Sequence, residues 1–218
     1  MSLNKELSKL EDLKKIVEDN KIDFNKLYKK IIIEAHKIEY SRGGEMSVFG
    51  IYPPEFFSKY IINNYKPGRK VKNTDKGFDF VYYFDKDNNL ILTEKWLDKK
   101  IAYLDFVIRK NTNESNIIIF EKRVNKISRV VKCQYDENNR IIRYIENRYP
   151  IQYGINHFRE IEFTYMIDKI CIQEKSFSTL SDIIKQVKKI NENYQLITIN
   201  CELVEDKLIN FNNEEIYF

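Results

Sequence analysis

The sequence predicts an α+β protein: N-terminal helices, then a long antiparallel β-meander, closed by a C-terminal helix and short strands. Three observations predict it. Apolar residues recur at intervals of three and four before Gly43. From Phe78 onward, runs rich in strand-favouring residues alternate with Asp, Asn and Lys turns roughly every ten to fifteen positions. Helical spacing then returns once, after Ser181. The chain reads as one domain over 1–218, with a helical N-terminal segment at 1–66 and a sheet with its C-terminal helix at 78–218.

Taking the elements in order, Leu3, Leu7, Leu10, Leu13 and Val17 share one helical face. Asp23 is placed to cap a second helix, because its carboxylate can accept from exposed backbone amides. Phe24, Leu27, Tyr28, Ile31, Ile32, Ala35 and Ile38 form the apolar stripe of that helix, which Gly43-Gly44 ends. Met46–Tyr52 reads as a short strand stopped by Pro53-Pro54, and Phe56, Phe57, Tyr60 and Ile61 as a third helix. Strands follow at 78–84, 90–97, 101–109 and 116–120, with further turns at 124–126, 136–139 and 167–169. Ser181 is placed to cap a helix through Ile183, Ile184, Val187 and Ile190. Two short strands, 195–201 and 207–211, close the chain.

Composition bounds the function classes. The 218 residues are 43% hydrophobic and 14% aromatic, with 15 Tyr and 14 Phe, which excludes extensive disorder. A net charge of +4, from 37 Lys+Arg against 33 Asp+Glu interspersed along the chain, lacks the concentrated basic block of a dedicated duplex-DNA binder. No apolar run spans a bilayer, and the polar start lacks a secretory apolar core. Cys133, Cys171 and Cys201 are widely spaced and read as reduced thiols. These features point to a cytoplasmic protein with no membrane association, and the richness in Ile, Asn and Lys resembles the codon bias of an AT-rich bacterial genome.

Two turn segments can be laid over each other: Phe84-Asp85-Lys86-Asp87-Asn88-Asn89-Leu90 and Tyr135-Asp136-Glu137-Asn138-Asn139-Arg140-Ile141. In each an aromatic enters, Asp closes the turn through its side chain, Asn supplies a positive φ and an aliphatic residue resumes the strand. The second copy resembles the YD repeat of bacterial Rhs and related polymorphic-toxin proteins. Asn139 stands where that family has Gly, and Asn89 in the first copy replaces its Arg. The resemblance covers seven residues per copy and implies a local hairpin without implying an activity.

No catalytic set, metal site or cofactor motif emerges. His36 sits at the edge of a helical stripe, and no Ser or Cys lies in a nucleophile elbow. Glu121-Lys122-Arg123 only approximates the Glu-x-Lys pattern of a metal-dependent nuclease. The least regular stretch of the meander is 149–159, and from it and its flank Arg148, Tyr149, Tyr153, His157 and Arg159 are the candidate binding residues, since aromatic and arginine side chains dominate binding hot spots. The expected function is a non-catalytic protein-binding module, most concretely an immunity-type protein that neutralises a toxin. One alternative is a single-stranded nucleic-acid-binding protein or a metal-dependent nuclease. The other is a small-ligand site, with Trp96, Tyr103 and Phe106 lining an apolar interior.

Overall fold

The structure is a computed structural model and describes residues 22–46, 68–72, 74–138, 140–149, 155–166, 169–180, 189–204, 207–210 and 215–216. Among these the chain is almost entirely one antiparallel sheet. Helix α1 (Phe24–Glu34) precedes β1 (Lys37–Arg42), β2 (Arg69–Lys70), a 3-10 turn at Thr74–Lys76, β3 (Phe80–Phe84) and β4 (Leu90–Leu97). The meander continues through β5 (Lys100–Asn111), β6 (Glu114–Glu121), β7 (Lys126–Tyr135), β8 (Ile141–Arg148) and β9 (Ile155–Tyr165). It ends with β10 (Lys169–Leu180), β11 (Lys189–Val204), β12 (Lys207–Asn210) and β13 (Glu215–Ile216). The 13 strands stand in chain order from β13 to β3, with β1 beside β3 and β2 outside β1.

The α+β expectation is therefore corrected: among the described residues there is one short α-helix on a continuous sheet. Asp23 does cap that helix, its Oδ1 accepting from the amides of Asn25 and Lys26 at 3.1 and 3.0 Å. The helix stops at Glu34, however. Ala35 is extended (ψ 128°), and Lys37–Arg42 pairs with β3 from Lys37↔Phe84 to Ser41↔Phe80. Ile38 thus belongs to a strand, and Gly43-Gly44 closes that strand at positive φ, where it was expected to end a helix. A sheet partner overrides a weak intrinsic preference. The expected C-terminal helix is corrected in the same way. Ile190 lies in β11, which pairs with β10 along nearly all of β10's length. The rest of that predicted helix, the first predicted helix, positions 47–52 of the short strand and the 56–61 helix lie outside the described residues.

Alternation of side chains along each strand divides the sheet into two faces. One face carries Val81, Tyr83, Leu92, Leu104, Phe106, Ile118 and Phe120, and α1 covers it with Phe24, Leu27, Tyr28 and Ile31. Phe24 stacks on Phe120 with ring centroids 4.8 Å apart. The other, inner face carries Tyr82, Val107, Ile117, Val131, Cys133, Tyr144 and Ile161. Tyr82 of β3 and Tyr144 of β8 line the same cavity of about 50 Å³. In a flat sheet, five strand spacings would hold them roughly 24 Å apart. The sheet therefore curls about its inner face, which is how Cys133 and Ile141 become fully buried there.

The two overlaid turns are one structural unit used twice. Asp85 Oδ1 accepts from the amides of Asp87 (2.9 Å) and Asn89 (2.8 Å); Asp136 Oδ1 accepts from those of Asn138 (2.9 Å) and Arg140 (2.8 Å). Each Asp amide donates to the carbonyl four residues on, at 2.9 Å in both turns. The fifth residue's side chain returns to the second carboxylate oxygen, Asn89 Nδ2 at 3.1 Å and Arg140 Nε at 2.7 Å. A register shift precedes each turn, at Tyr83/Phe84 and at Gln134/Tyr135, and Asn88 takes the expected positive φ of 61°. These turns mark one end of the meander. The β4–β5 turn and the 122–125 turn mark the other, which carries Lys99, Lys100, Lys122 and Arg123.

Candidate binding face

The predicted binding residues separate onto two faces. Register places Arg148 opposite His157, and Glu146 opposite Arg159. On the neighbouring strand Arg129 stands opposite Arg148, and Val131 opposite Glu146. Arg129, Glu146, Arg148, His157 and Arg159 therefore share the inner face over three adjacent strands. Tyr149 packs the other way, against the cluster of Val130, Ile145 and Phe158. Tyr153 lies outside the described residues.

Glu146 is the hub of this row. It is fully buried, and its Oε1 accepts from Arg148 Nε and lies 3.6 Å from Arg129 Nη1. Its Oε2 is 3.4 Å from Tyr144 Oη. Burying a carboxylate is costly unless charge and hydrogen bonds compensate, and two guanidiniums do so here. The shared carboxylate fixes both guanidiniums in place. Their side chains retain 29% and 35% exposure, so each still reaches solvent. His157 is exposed and Arg159 half-buried.

Arg129 also joins the row to the cavity. The cavity floor is apolar, from Leu90, Val107, Ile117, Ile119 and Val131, and Lys95, Glu45 and Asp105 lie on its lining. Lys95 Nζ bridges Glu45 Oε1 at 2.7 Å and Asp105 Oδ2 at 3.0 Å. Burial alone would discharge Lys95, but attraction to Asp105 and Glu45 more than reverses that and raises its pKa. Burial raises the pKa of Asp105 in spite of the opposing Lys95 charge. Tyr82 Oη accepts from the Met46 amide at 2.8 Å and holds the 43–46 segment across this end of the sheet.

The sequence offered a signal for the members it failed to supply. Arg129 occupies the same phase as Val131, Cys133 and Tyr135, Glu146 that of Tyr144, and Asp105 that of Tyr103 and Val107. A charge in an apolar phase marks a buried polar site, but the phase can be read only once the bulges are known. Lys95 precedes one such bulge.

Neither a protein family nor a solved structure matches the chain. Similarity to curated proteins is partial. Trigger factors from strains Tuc7, 5A and APS of Buchnera aphidicola subsp. Acyrthosiphon pisum are each 27% identical to it over 105 residues. The match takes in 48% of this chain, and the chain covers 23% of the length of those relatives. Among the described residues no helix is long and apolar enough to cross a membrane, and no group of three or more His, Cys, Asp and Glu side chains is arranged to hold a metal.

Proposed function

We propose that this protein is a non-catalytic binding module that engages an acidic surface of a protein partner through Arg129, Arg148, His157 and Arg159. The observation that carries the reading is their convergence on one face around the buried carboxylate of Glu146. Guanidiniums held by a buried carboxylate are pre-ordered, so little side-chain entropy is lost when a partner's carboxylates arrive. Arginine is suited to the task because its planar fork pairs with carboxylates in two-point fashion. In its most concrete form the partner is a bacterial toxin and the protein an immunity-type neutraliser. A cytoplasmic setting fits the free thiols of Cys133 and Cys171.

The test is a pull-down from native lysate, with products of adjacent genes added as bait, comparing wild type with Arg148→Glu/Arg159→Glu. A stoichiometric protein partner retained by wild type and lost by the variant is expected. A partner retained equally by both proteins would contradict the reading.

A further inference from the structure

The rows of side chains that form the arginine face run on, through β7, into the cavity of the inner face. Register carries one row from Arg129 to Ile119 and Asp105, then to Thr93 and Tyr82. The row beside it runs from Glu146 to Val131, Ile117 and Val107. All of these except Glu146 line the cavity, so its walls converge from one face of five adjacent strands.

Three features indicate what the cavity takes. First, its floor and its rim differ. Val131 and Leu90 are 1% and 5% exposed, whereas the side chains of Asp105, Lys95 and Arg129 are 14%, 20% and 29% exposed. An apolar floor thus reaches solvent through a polar rim. Second, Asp105 is half satisfied. Its Oδ2 lies 3.0 Å from Lys95 Nζ, while Oδ1 is buried with no hydrogen-bond partner among the described residues. A buried acceptor left unpaired costs free energy, and an N–H or O–H donor recovers it. Third, the charges at the rim cancel. Lys95 bridges Glu45 and Asp105, and Arg129 and Arg148 share Glu146, which sets three cations against three carboxylates. A charged head group would find no uncompensated partner there and would lose its hydration on entry.

Size narrows the choice further. At about 50 Å³ the cavity has a third of the roughly 150 Å³ that admits benzene, which leaves room for a short aliphatic tail. We propose that the cavity binds a small neutral molecule with a hydroxyl at one end and a short aliphatic tail. The hydroxyl donates to Asp105 Oδ1 at the rim, and the tail lies on Val107, Ile117 and Val131. This site goes beyond the acidic-surface reading: its occupant is uncharged and lies past Arg129 along the rows.

The floor is rich in methyl groups, which report on it one by one. The experiment records methyl NMR spectra of the full chain, labelled at Ile, Leu and Val, during titration with 1-propanol, acetone, propionate and propylammonium. These probes share a three-carbon skeleton and differ in the head: neutral donor, acceptor only, anion and cation. The expected result is saturable shifts centred on Val107, Ile117 and Val131 with 1-propanol, and binding at least tenfold weaker with the other three. Asp105→Asn turns its amide oxygen to Lys95 and its N–H to the cavity, so the order of 1-propanol and acetone is expected to reverse. Val131→Ile adds one methylene to the floor and is expected to weaken 1-propanol. No saturation by 1-propanol, shifts scattered over the sheet, or a wild-type preference for any other probe would overturn the proposal. So would an order unchanged in Asp105→Asn, undiminished binding by Val131→Ile, or a water at Asp105 that 1-propanol does not displace. Circular dichroism of each variant separates loss of binding from loss of fold.

Discussion

Tyr28 Oη donates a 2.8 Å hydrogen bond to Glu94 Oε1, tying the only described α-helix to the sheet it covers. Glu94 is 2% exposed, and two further donors complete its shell: Tyr83 Oη at 2.8 Å and Trp96 Nε1 at 2.7 Å. A buried carboxylate is thus held by neutral donors alone among these contacts, and each is charge-assisted. The two phenols respond in kind. Burial and the Glu94 hydrogen bond raise the pKa of both Tyr28 and Tyr83.

Tyr28→Phe removes one charge-assisted bond and leaves the ring in place. A loss of roughly 1.5–3 kcal/mol in unfolding free energy is expected from urea denaturation. Lys122→Ala, which removes only the cation above the same ring, is expected to cost under about 1 kcal/mol. Equal effects of the two would place the stabilisation in the ring instead of the hydroxyl.

The paired turns predict paired energetics. Asp85→Ala and Asp136→Ala each remove the acceptor of two backbone amides and one side chain, at a cost of roughly 1–2 kcal/mol. Asp→Asn keeps an acceptor oxygen and is expected to recover about half of it. Chemical denaturation of the four variants checks this, and a large difference between the two sites would show that the turns are alike in shape only.

Acid stability follows from three carboxylates. At Glu114, burial raises the pKa, but hydrogen bonds and attraction from Lys132 and Lys110 outweigh it and the net shift is downward. Glu39 behaves likewise with Lys70 and Lys37, and Asp85 with Asn89 and the amides of its own turn. A carboxyl with a folded pKa below its unfolded value contributes stability above the unfolded pKa, about 4, and loses it as pH falls through the folded pKa. Melting temperature is therefore expected to hold from pH 7 to about 5 and to fall below pH 4. Glu114→Gln is expected to shallow that fall, which pH-resolved thermal melts would measure.

Much of the sheet was legible in the sequence, because turn chemistry punctuates it. Asp85, Asp98, Asn111 and Asp136 each sit at a hairpin end, and Asp23 caps where it should. The helix boundaries were not. Ile31, Ile32, Ile38 and Ile190 satisfy helical spacing as well as strand propensity, and strand pairing across the sheet decides between them. Arg148, His157 and Arg159 read from the sequence as part of an irregular loop, but they stand on the regular strands β8 and β9. Arg129 and Glu146 were not legible as site residues, since they are distant in sequence and meet only through the β7–β8–β9 register.

Burial holds the Cys133 thiol up to about 12, against the smaller opposing effects of Tyr135 and Ser115. At pH 8 it is therefore protonated and unreactive. Mass spectrometry after brief iodoacetamide treatment is expected to leave Cys133 unmodified in native protein and alkylated in urea. Modification in the native state would show that the curled inner face opens.

The central claim is that the arginine row meets an acidic protein surface, and the most direct measurement is the salt dependence of partner association. Surface plasmon resonance with the captured partner, on wild type and Arg148→Glu/Arg159→Glu, reads association rates from 50 to 500 mM NaCl. The account predicts a wild-type rate that falls steeply with salt, and a variant that is slower by at least tenfold at low salt and nearly flat. Identical, salt-insensitive rates for both proteins would contradict it.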